Sequence, residues 1–128
     1  MSRMKTYASA LFLPLILPLA ASAGMSDPLV TTFATCTGRF SALMEHQWLM
    51  GSAEADRTQA RRAAFEEVLL AAMPSDAGPE VLARRIEAKY ALAQLLQRVT
   101  FGTDPKEADW AADRVRRAIA ACDGLVLG

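Results

Sequence analysis

Apolar side chains recur along this chain at steps of three and four, and clusters of helix breakers cut the pattern into four runs. Both features point to α-helices. The first run opens at Asp27-Pro28, where Asp27 can cap and Pro28 suits the first helical position. From there Leu29, Phe33, Cys36, Phe40, Leu43, Gln47 and Met50 line one face, until Gly51-Ser52 ends the helix. A second helix, from about Ala53 to Met73, groups Phe65, Val68, Leu69 and Ala72 on one side with Arg61 beside them. Pro74 to Gly78 is rich in breakers and reads as a loop. The third helix begins at Pro79-Glu80 and turns Leu82, Ile86, Tyr90, Ala93 and Leu96 one way, with Leu92, Leu95 and Val99 widening that face. So broad an apolar arc predicts the most buried helix of the set. After Gly102-Thr103, the run Asp104-Pro105-Lys106-Glu107 has the form of a capping box with Asp in first place. The fourth helix then sets Ala108, Ala111, Ala112, Val115, Ala118, Ile119 and Cys122 on its inner face and stops at Gly124.

Connections this short favour antiparallel neighbours, so the expected fold is all-α, a small up-down-up-down four-helix bundle. Such a bundle brings the start of the first helix to the end of the fourth. Cys36 and Cys122, the only cysteines, both lie on apolar faces there, and they are expected to form a disulfide. In the loop-entropy account a crosslink enclosing that much chain stabilises it by about 4 to 5 kcal/mol.

The N-terminus departs from this pattern. Arg3 and Lys5 precede an apolar stretch from Ala8 to Ala21, and Ala21-Ser22-Ala23 follows. This is the layout of a secretory signal peptide, so residues 1–23 are expected to be removed and residues 24–128 to fold as one helical domain. Pro14 and Pro18 interrupt the stretch, which is also shorter than the roughly 20 residues of a spanning helix. The expected product is periplasmic or secreted, with no stable membrane insertion after cleavage. It retains 12 basic against 14 acidic residues, a net charge of −2 that argues against a nucleic-acid partner.

No set of catalytic parts can be assembled. Nucleophile elbows, metalloprotease motifs and glycine-rich phosphate loops are missing from the sequence, and no cofactor is expected. His46, the only histidine, shares a helix edge with Met50 and Arg39, which leaves haem or copper binding as an alternative. The adjacent Glu66 and Glu67 read as a solvated surface, with Arg62 one turn before Glu66. Arg61, Arg85 and Lys89 fall within or beside apolar arcs. They either lay their stems on apolar surface or form a ligand-binding cluster between the second and third helices.

The feature that points most directly to interaction is Trp110, Arg114 and Arg117, spaced by four and three on the fourth helix. Tryptophan and arginine dominate binding hot spots, so this stripe is the expected contact for a protein partner; alternatively the arginines cover the indole by cation–π contact. The sequence thus favours a non-enzymatic exported binding module that recognises a protein partner, with small-ligand, haem or metal binding in the bundle interior as the alternative.

Overall fold

The computed structural model describes residues 27–126, so the signal-like segment lies outside the described residues. It contains four helices, α1 (Pro28–Leu49), α2 (Ala55–Ala72), α3 (Gly78–Phe101) and α4 (Pro105–Val126), and no strand among the described residues. The predicted caps form. Asp27 Oδ1 accepts from Leu29 N at 2.8 Å, and Asp104 Oδ1 accepts from Lys106 N at 2.9 Å. Gly51 takes a left-handed φ of 64° in the turn from α1 to α2, which glycine adopts without a Cβ penalty. The fourth helix runs past Gly124 to Val126.

Helix α1 is the hub. It packs along α2 and α3 and also meets α4, whereas no Cα of α2 comes within 8 Å of a Cα of α3 or α4 among the described residues. Its burial therefore extends around most of its circumference: Val30, Phe33, Ala34, Cys36, Phe40, Ala42 and Met44 are buried together with Thr37, Gly38 and Ser41. Polar groups are tolerated there because each hydroxyl bonds within the helix. Thr37 Oγ1 donates to Phe33 O and Ser41 Oγ to Thr37 O, both at 2.8 Å.

Phe33 and Phe40 of α1 clasp Phe65 of α2, with ring centroids 5.5 and 5.2 Å away, above Leu69. On the other side Ala42 meets Leu92 and Leu96 of α3, and Val115, Ala118 and Ile119 of α4 close that cluster. Cys36 and Cys122 are joined as a disulfide, both buried, tying α1 to α4 with Cα atoms 5.6 Å apart.

The expectation that α3 is the most deeply buried helix is overturned. Only Val81, Leu92 and Leu96 of α3 are buried, whereas Leu82, Ile86 and Tyr90 are 54, 57 and 65% exposed. Periodicity correctly groups residues into faces, but α3 has neighbours on one side of its arc alone. Leu29 and Met50, placed on the inner face of α1, are likewise half exposed because they lie at the helix ends.

Candidate functional site

Because α2 and α3 both lean on α1 without close approach of their backbones, a groove of about 330 Å³ remains between them, spanned by side chains. Gly38 and Ser41 of α1 form its floor, Arg62 of α2 one wall, and Leu82, Arg85, Ile86 and Lys89 of α3 the other. Gly38 is what lets α3 settle so low. A Cβ built there would lie 2.3 Å from the carbonyl oxygen of Arg85 and 3.0 Å from Lys89 N, so only glycine permits this approach.

The polar side chains of the groove hold one another in place. Ser41 Oγ, after donating to Thr37, accepts from Arg62 Nε at 2.9 Å. Glu66 of α2 receives two guanidiniums, Arg85 at 2.8 Å from α3 and Arg62 at 3.4 Å from its own helix. It is thus a half-buried bridge across the groove, whereas Glu67 is exposed as expected of a solvated surface. Lys89 Nζ donates to Glu45 Oε1 at 2.6 Å, fixing α3 to α1. Two arginines, one from each wall, sharing one carboxylate leave the groove with a surplus of positive charge.

The residues singled out from sequence do not converge on one site. Arg85 and Lys89 both line the groove. Arg61 is elsewhere: its guanidinium lies 4.9 Å above the Phe40 ring and pairs with Asp123 of α4. His46 is engaged in a cross-helix contact, its Nε2 within 2.9 Å of Thr100 Oγ1, beside a separate hollow of about 210 Å³ that Leu49 and Phe101 help to line. Met50, its suggested partner, is half exposed at the C-cap of α1, and Arg39 points to Ala118 of α4. No group of three or more histidine, cysteine or acidic side chains suited to a metal occurs among the described residues.

On α4, Trp110 is 49% exposed and has guanidiniums near its ring from two directions, Arg114 at 5.2 Å and Arg98 of α3 at 5.9 Å. Arg117 instead pairs with Asp113 at 2.8 Å and is well exposed.

The stripe of Leu82, Ile86 and Tyr90 is the feature that sequence reasoning assigned to the interior. Its signal was available in the width of the apolar arc on α3. An arc with two separable halves, Leu92 and Leu96 on one and Leu82, Ile86 and Tyr90 on the other, exceeds what one buried face of a small domain needs. The four-step spacing makes the exposed half a continuous ridge about 12 Å long.

The molecule is therefore a disulfide-tied helical bundle in which one helix carries an apolar ridge beside a polar groove. No described helix is long and apolar enough to cross a membrane. No family model matches the chain, and no curated protein or solved structure matches it.

Proposed function

We propose that this chain is an exported, non-enzymatic helical module that recognises a protein partner, and that the partner docks an amphipathic helix along the groove between α2 and α3. The observation that carries this reading is the exposed Leu82-Ile86-Tyr90 ridge beside an open channel between two helices. Exposed apolar patches rimmed by polar groups are how helix-in-groove binding sites present themselves. Charge complementarity defines the partner further: the surplus cation shared by Arg62 and Arg85 over Glu66 suits a helix whose apolar stripe is flanked by acidic residues.

Export is supported by the signal-like pattern of residues 1–23 and by the disulfide, a bond that persists in oxidising compartments. The accompanying topology is an up-down-up-down bundle of residues 24–128, acting in the periplasm or outside the cell. The haem or metal alternative has less support, because His46 already contacts Thr100 and Met50 sits apart at the surface.

A photo-crosslinker placed at Tyr90, at Trp110 or at Arg116 of the full chain in an exporting host tests the docking face. The expected outcome is a defined heteromeric adduct from Tyr90 that disappears on Ile86→Asp while the melting temperature is unchanged. Adducts confined to Trp110 would move the interface to α4 with Arg114 and Arg117, and an adduct to a second copy would replace the foreign partner by a homodimer.

A further inference from the structure

A second concavity, of about 260 Å³, lies on the other side of the α1–α3 contact, where α4 forms the far wall. Its charge is unlike that of the first groove. Three arginines, Arg39, Arg84 and Arg114, line it together with a single carboxylate, Glu87, while Leu92 and Leu95 contribute to an apolar floor. Arg84 uses that carboxylate, at 3.2 Å. Among the described residues neither Arg39 nor Arg114 has a carboxylate within 4.0 Å.

Arg39 is the unusual member. It projects from the hub helix, is partly buried, and directs Nη1 to the carbonyl oxygen of Ala118 at 3.0 Å, with Cys122 Sγ at 3.7 Å. A guanidinium offers five N–H donors in a fixed fork that matches a carboxylate, and one carbonyl oxygen and a weakly accepting disulfide sulfur, both met by the same Nη1, leave that capacity largely unanswered. Burial also pulls its pKa below the ordinary arginine value, and no neighbouring anion counters the shift. A cation that is partly desolvated and unpaired is costly to fold around, and an anionic ligand is the simplest group to offset that cost.

We infer that the α1–α3–α4 cleft binds a small amphipathic carboxylate, with its anionic head on Arg39 and its apolar body over Leu92 and Leu95. Arg84 and Arg114 add to the positive field at the rim. The cleft is smaller than the roughly 300 to 1,000 Å³ typical of drug-sized ligands, which limits the body to a short chain or single ring. Glu87 at the wall disfavours a polyanion such as phosphate. The site shares no lining residue with the α2–α3 groove, so it stands or falls independently of the protein-docking reading.

Amide-resolved NMR titrations of the full chain at constant ionic strength provide the test, with sodium hexanoate as probe and hexan-1-ol and inorganic phosphate as comparators. Hexanoate is expected to give saturable shifts clustered at residues 88–95 and around Thr35 and Ala118. Arg39→Gln is expected to weaken it at least about tenfold, the loss of one charge-assisted contact. Should that variant fail to fold, Arg114→Gln at the exposed rim carries the test, with an expected weakening of severalfold. Shifts that never saturate, equal binding of hexanol, or an affinity unchanged in the folded variants would overturn the assignment. Phosphate binding more tightly than hexanoate would overturn it as well.

Discussion

Helices α1 and α3 are similar in length and both rich in apolar residues, yet ten of the 22 residues of α1 are buried and only three of the 24 in α3. The buried set of α1 includes a glycine, a serine and a threonine, whereas α3 leaves a leucine, an isoleucine and a tyrosine in solvent. The number of apolar residues does not rank these helices, since α3 has 13 and α1 has 11, although α3 also carries six charged side chains to the two of α1. Position does: α1 has three neighbours, and α3 has neighbours along one side of its arc. A hub can bury polar side chains because its own backbone carbonyls satisfy them. A flanking helix with more apolar surface than its neighbours cover retains the excess as a ridge.

This contrast can be tested in order of expected effect. The largest should come from reducing the Cys36–Cys122 bond, which holds the hub to α4. A loss of about 4 to 5 kcal/mol is expected in the loop-entropy account, read as a lowered midpoint in denaturant with reductant present. An unchanged midpoint after verified reduction would remove the disulfide from the stabilising framework. Next is Phe40→Ala, which empties a fully buried site between α1 and α2 and should cost about 3 to 5 kcal/mol. The matching truncation on the exposed ridge, Tyr90→Ala, should stay within about 0.5 kcal/mol. Comparable losses at the two sites would erase the distinction between hub and flank.

A smaller but more discriminating effect is expected at Gly38. In an ordinary exposed helix interior Gly→Ala stabilises by about 1 kcal/mol. Here the added methyl meets the Arg85 carbonyl oxygen, and the forced separation of α1 and α3 should turn the change into a net loss of about 1 to 3 kcal/mol. A gain in thermal stability would show that α3 does not approach the hub as closely as the groove requires.

What was legible in the sequence was local. Asp27 and Asp104 cap their helices because a short acceptor before a first-turn proline does so irrespective of the rest of the fold. The cysteine pair was legible too, since helix order and end-to-end placement sufficed. The hub was not, because periodicity identifies a face without saying how many neighbours it meets. Arg39 shows the same difficulty: it appeared on an edge with His46 and Met50, and only the arrival of α4 separates it from them. Gly38 did leave a trace, an isolated glycine inside a strongly helical run, a position that usually has a packing reason. The residues that follow it in α1 are divided among different contacts, Ser41 with α2, His46 with α3 and Arg39 with α4.

The disulfide also has a consequence in time. Its two cysteines are 86 residues apart, so at about 5 to 20 residues per second Cys36 is synthesised roughly 4 to 17 s before its partner. Throughout that interval its thiol has no partner within the chain. The bond therefore forms only once translation has passed into α4: a chain halted before Cys122 carries an unpaired Cys36 thiol, a difference that thiol-labelling can read on nascent chains.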